Sequence, residues 1–138
     1  MKSYKFKELK IGKSSSFKVK ITEKLFSNFL LYSKDLSKIH VNRIFSKKYG
    51  FKDRVVHGML IASFYSRFIG MNLPGKFSLL TNIEIKFNKP AYINDTITIK
   101  GEIDSLSSYY KVATIQIKAI NQFKSTISSA KAIVKLNE

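Results

Sequence analysis

Asp35 and His40 lie five residues apart in Asp35-Leu36-Ser37-Lys38-Ile39-His40. A second histidine opens the segment Val55-Val56-His57-Gly58-Met59-Leu60-Ile61-Ala62-Ser63. A carboxylate and an imidazole on one loop can converge on one water and work as a general acid/base pair. The same spacing also suits two solvated loop residues, with Asp35 ending the helix before it. Gly58 stands where a strongly apolar helix begins. Free N–H groups at such an end can hold an oxyanion, and glycine lets a ligand approach the backbone closely. Gly58 equally suits tight packing of that helix on a sheet. His57 is expected to fix the turn from loop to helix through hydrogen bonds. Ser63 reads either as a core-facing hydroxyl or as a site residue.

Other chemistries are excluded by composition. The chain has no Cys, so disulfides, thiolate metal sites and cysteine nucleophiles are impossible. His40 and His57 are its only histidines, so one chain cannot build a three-histidine metal site. No metal ligand set is therefore expected.

The elements that must position these residues follow from periodicity. Phe17, Val19 and Ile21 alternate with lysines, as in a half-buried strand. Thr22 suits an N-cap for a helix starting at Glu23, with Leu25, Phe26, Phe29 and Leu30 on one stripe and an end near Ser33-Lys34. Lys34 to Asn42 reads as a polar loop. Asn42 caps a short helix around Ile44 and Phe45, which Gly50 ends. From His57 to Ile69 apolar residues cover most of a helical circumference, which predicts burial on most sides. Gly70, Asn72, Pro74 and Gly75 are expected to break that helix.

Beyond Pro74 the period changes to two. Ile83, Ile85 and Phe87 alternate up to Pro90. Ile97, Ile99 and Ile103 follow, with Gly101 a candidate bulge. A strand from Tyr110 to Ile120 and a last one through Ala130, Ala132, Val134 and Leu136 complete the chain. A central apolar helix followed by strands predicts an α+β fold, an antiparallel sheet curled around that helix. With 138 residues, no internal repeat and no linker, residues 1–138 are expected to form one domain.

The formal net charge is +16. Arg43, Arg54 and Arg67 are the only arginines, and the remaining basic residues are lysines spread along the chain. Bidentate recognition of bases and phosphates favours arginine, so sequence-specific nucleic-acid binding is not the expected use. A diffuse positive field still attracts anionic ligands. No apolar run approaches the ~20 residues of a membrane-spanning helix, and no secretory signal opens the chain. A cytoplasmic protein is expected.

Taken in order, these pieces resemble the MaoC-like hot-dog hydratases, that is, (R)-specific enoyl-CoA hydratases and (R)-3-hydroxyacyl dehydratases. Their signature runs Asp-x-Asn-Pro-x-His, Gly-Phe, an apolar-His-Gly-Met/Leu-Leu helix start, Pro-Gly, Phe-x-x-Pro and a Gly-Asp turn. Here Asp35 and His40, Gly50-Phe51, Val56-His57-Gly58-Met59-Leu60, Pro74-Gly75, Phe87-Asn88-Lys89-Pro90 and Asn94-Asp95 follow in that order. Ser63 falls where the family often has a serine. The Asn-Pro of the loop is replaced by Ser37-Lys38, which removes a backbone constraint and an amide.

The resemblance implies a hot-dog fold and hydration of 2-enoyl thioesters, or the reverse dehydration. Asp35 would activate water, His40 would hold it and exchange the proton, and the Gly58 N–H would bind the thioester oxygen. Ser37, His57 and Ser63 would support them. No cofactor is implied beyond the coenzyme A or acyl-carrier-protein thioester. A basic entrance at Lys38, Arg43, Lys47, Lys48, Lys52 and Arg54 would favour either carrier. A homodimer or higher homo-oligomer is implied as well. A hot-dog thioesterase is the weaker alternative, because residues 58–71 contain no Asp or Glu. A non-catalytic acyl-thioester-binding or partner subunit is the other, supported by the altered Ser37-Lys38 loop.

Overall fold

The computed structural model describes residues 1–138. After a short 3-10 turn at Phe6–Glu8, strand β1 (Ser14–Lys20) leads into helix α1 (Glu23–Ser33). The Thr22 hydroxyl accepts the Leu25 N–H at 3.1 Å, the cap expected from the sequence. Lys34 ends α1 in the left-handed conformation, φ 57°. Two short helices follow, α2 (Lys38–Val41) and α3 (Arg43–Lys48), and Asn42 caps α3 by accepting the Phe45 N–H.

Helix α4 (Gly58–Met71) is the apolar helix of the sequence. It passes through Gly70 instead of breaking there. One glycine costs a helix only about 1 kcal/mol, and the burial of Phe68 and Ile69 just before it outweighs that. Leu60, Ile61, Ala62, Phe64, Tyr65, Phe68 and Ile69 are buried, while Met59, Ser63, Ser66 and Arg67 leave one face of α4 open.

Strands β2 (Ser78–Phe87), β3 (Thr96–Ser107), β4 (Val112–Ile120) and β5 (Thr126–Leu136) complete the chain. They join β1 in one sheet of order β1-β3-β4-β5-β2, and every pairing is antiparallel. Alternate residues of β3, β4 and β5 are buried, among them Ile97, Ile99, Ile115, Ile117, Ala132 and Val134, and they enclose α4 in one core. This is the α+β hot-dog arrangement. No helix is long and apolar enough to cross a membrane.

Gly101 is not a bulge. It pairs in register with Ser15 and Ile117, and the bulge on β3 falls between Ile103 and Ser105. A Cβ at Gly101 would lie 2.6 Å from the ring of the fully buried Phe68. The glycine is there so that α4 can approach the sheet closely.

Candidate active site

The site forms where the loop after α1, the turn α2 and the start of α4 meet. Asp35 follows directly on the left-handed Lys34. Its Oδ1 accepts both the Ser37 hydroxyl, at 2.5 Å, and the Ser37 N–H, at 3.1 Å. An Asp that bonds the backbone two residues on closes a tight turn by itself. Here it aims Oδ2 towards α2.

His40 is not on a polar loop, as the sequence suggested. It sits in the single helical turn α2 and is only 8% exposed. Four residues are too few to show a helical period, and the burial comes from elsewhere in the chain. His40 Nδ1 lies 2.6 Å from the Val55 carbonyl oxygen. A carbonyl only accepts, so Nδ1 carries the proton. The other ring nitrogen, Nε2, faces Asp35 Oδ2 at 3.8 Å.

His57 lies beneath this pair. Its ring stacks on that of His40, with centroids 3.8 Å apart and planes inclined by 24°. Its Nε2 lies 3.0 Å from the Asp35 carbonyl oxygen and therefore donates to it. Phe26 and Phe29 of α1 pack against its other side. The segment before α4 is fixed in turn by Val55 N–H to Ile39 O and Val56 N–H to Ala91 O.

Gly58, the next residue, is the first of α4, and its N–H has no hydrogen-bond partner within the protein. A Cβ here would lie 2.8 Å from the Phe87 ring. So the packing role and the free donor coexist at Gly58. Ser63 is not the core-facing hydroxyl that was one of its two sequence readings. It is exposed on the open face of α4 and donates to the Leu60 carbonyl at 2.6 Å. It belongs to a groove of about 360 Å³ between α1, α4 and β2, lined by Phe29, Tyr32, Met59, Ile83 and Ile85 with Ser66.

The electrostatics are local. The two Ser37 hydrogen bonds hold the Asp35 carboxyl below its usual value of 3.8, and the facing His40 and His57 rings add smaller effects of the same sign. Asp35 is thus ionised throughout the neutral range. Of the basic residues expected at the entrance, Arg43 pairs with Asp53 and Arg54 with Glu23, each at 2.9 Å. Lys38, Lys47, Lys48 and Lys52 have no acidic partner.

Asp35, His40 and His57 bring ligand-type atoms within 4.8 Å of one another. His57 Nε2 spends its proton on the Asp35 carbonyl, so the cluster offers a metal only Asp35 and His40 Nε2 as free donors. Catalytic zinc sites use three protein ligands.

What the arrangement can do is hold a water and take a proton from it. Two acceptors 3.8 Å apart can both be reached by one water at about 2.8 Å, each taking one of its O–H groups. The sequence did not point to the Val55 carbonyl or to Phe26 and Phe29. A backbone oxygen leaves no side-chain signal, and the two rings read only as a helix stripe.

The chain matches the pattern of the MaoC like domain over residues 7–122. The (R)-specific enoyl-CoA hydratase of Aeromonas caviae is 27% identical over 128 residues, 93% of this chain and 96% of that one. The enzyme of the same name from Rhodospirillum rubrum is 34% identical over 111 residues, 80% and 77% of the two chains. The solved structure of the A. caviae (R)-hydratase involved in PHA biosynthesis superposes with a TM-score of 0.88 at 27% identity, covering 94% of this chain and 98% of that one. Sequence pattern and fold agree along nearly the whole length, and the chain belongs to the MaoC-like family.

Proposed function

We propose that this protein is a hydro-lyase that adds water to 2-enoyl thioesters to give (R)-3-hydroxyacyl thioesters, or runs the reverse dehydration. The observation that carries the reading is the Asp35 Oδ2–His40 Nε2 pair at 3.8 Å, with an unpartnered N–H at Gly58, the residue after the His57 ring that stacks on His40. A water held by both acceptors loses one proton to the pair as its oxygen bonds to Cβ of the enoyl group. The pair returns a proton to Cα, so the net change is addition of H and OH. Negative charge gathers meanwhile on the thioester oxygen, where the Gly58 N–H donates. An acid/base group typically contributes ~10²–10⁴-fold and an oxyanion donor ~10²–10³-fold. These steps need no metal or redox cofactor.

The relatives named above act on enoyl-CoA, and we infer a coenzyme A thioester as the substrate here. The apolar groove beside Met59 suits the acyl chain. Incubation with crotonyl-CoA tests the reading. Loss of the conjugated enoyl absorbance with formation of the (R)-3-hydroxy product is expected. Binding without hydration would favour a non-catalytic acyl-thioester subunit instead. We also propose a homodimer. Strand β2 is a sheet edge carrying exposed Leu79 and Phe87, which suits pairing with a second copy. Sedimentation at micromolar concentration would show twice the chain mass.

A further inference from the structure

His57 is 3% exposed, and no step of the proposed reaction uses it. Its contacts nevertheless reach every group that does. Nε2–H holds the backbone of Asp35, which is 22 residues away in the chain. The ring face supports His40. The next residue supplies the free Gly58 N–H. Its remaining nitrogen, Nδ1, is buried without a partner. A buried, unpaired ring nitrogen is a cost that an apolar ring of the same shape would avoid. What distinguishes histidine from phenylalanine at this position is therefore the Nε2–H bond to Asp35.

We propose that His57 is a positioning residue for the proton-transfer pair: the Nε2–H bond to the Asp35 carbonyl and the stack under His40 lock the Asp35 loop and α2 to the start of α4. The inference rests on the hydratase reading. Besides this bond, the backbone of Asp35 has a 3.3 Å contact from its N–H to the Ser33 hydroxyl, and its side chain bonds only Ser37. Without the His57 bond, the loop can shift as one piece together with its Asp35–Ser37 turn. The 3.8 Å spacing to His40 would then be lost while both side chains remain chemically intact. His57 has no free donor or acceptor on the exposed side, so it acts through Asp35 and His40 and not on substrate.

Two substitutions separate the parts. His57→Phe keeps the ring and removes the donor. His57→Gln keeps a donor at similar reach and removes the ring. With crotonyl-CoA, His57→Phe should lower kcat roughly 10–100-fold, the scale of a misplaced catalytic group, with KM little changed. His57→Gln should recover most of that loss. Equal losses in the two variants, or wild-type kcat in His57→Phe, would overturn the proposal.

A second measurement does not depend on either variant folding. Long-range ¹⁵N–¹H spectra of the wild-type protein, which has only these two imidazoles, should show His57 as the Nε2–H tautomer and His40 as the Nδ1–H tautomer. An Nδ1–H tautomer at His57 would also overturn it. A wild-type protein with these tautomers but no hydratase activity would instead sink the functional reading.

Discussion

Ser37 gives Asp35 two hydrogen bonds on the same oxygen, its hydroxyl at 2.5 Å and its N–H at 3.1 Å. Ser37, which departs from the family signature, thus holds the Asp35 turn closed in this chain. It leaves Asp35 Oδ2 free to face His40. The cost is basicity, because donors to a carboxylate favour its ionised form.

Ser37→Ala removes the larger of these two effects, and the Asp35 pKa should rise towards its usual value of 3.8. If Asp35 acts ionised, the acidic limb of the pH–rate profile should move to higher pH in the variant. The sign for stability is that of a depressed carboxyl. Its contribution is present above pH 3.8 and is lost as pH falls through the lower folded-state value. Side-chain NMR titration of Asp35 checks the direction, and an unchanged or lower value in Ser37→Ala would contradict it.

Asp35→Asn keeps size and removes the carboxylate. It should lower kcat by at least ~10²-fold with little change in Tm, because the side chain is 47% exposed. His40→Ala should lower kcat similarly, and it should also destabilise the fold. It leaves the Val55 carbonyl without its ring donor in a buried place, at about 1–3 kcal/mol. The double variant should lose much less than the product of the single losses, since groups acting as a unit are non-additive. Full additivity would place the two residues in separate steps.

Gly58 can be tested by backbone chemistry. It is the first residue of α4, the position that best tolerates proline. His57 before it has φ −55° and ψ 127°, which also suits a following proline. Gly58→Ala and Gly58→Pro both add a Cβ that pushes on the Phe87 ring, so that effect is shared by the two variants. Only proline removes the N–H. The kcat of Gly58→Pro should therefore fall ~10²–10³-fold below that of Gly58→Ala. Equal rates would take the N–H out of the mechanism.

Lys38→Pro should be tolerated or stabilising. Lys38 is the first residue of α2, its N–H makes no hydrogen bond, and Ser37 before it already has φ −51° and ψ 134°. A proline that fits the native backbone typically adds about 0.4–1 kcal/mol by restricting the unfolded chain. A denaturant midpoint that falls would show that the α2 backbone cannot accept the ring.

Gly101→Ala has no such freedom. The added Cβ would meet Phe68 at 2.6 Å inside the core, where neither the ring nor the strand has room to yield. Overpacking of this kind costs about 1–3 kcal/mol. A Tm equal to wild type would refute the close-approach role of this glycine.

The sequence by itself determined the local elements. Thr22 and Asn42 mark helix starts because a short polar side chain can reach back to a free N–H. The alternation through Ile83, Ile97, Ile115 and Ala132 marks strands because one face of each is buried. The ordered motifs around Asp35, His40, His57 and Gly58 marked a candidate site, because their spacing is legible in the chain itself. What only the tertiary structure decided lies between distant segments. The order β1-β3-β4-β5-β2 sets β2 beside β5, across the whole second half of the chain, and no local pattern encodes that pairing. The burial of His40, its bond to Val55 15 residues on and the hold of His57 on Asp35 across 22 residues depend on three segments packing at one point. Gly101 shows the same division. Its sequence context suggests a bulge, but the reason for the glycine is the Phe68 ring, which only the folded chain brings against it.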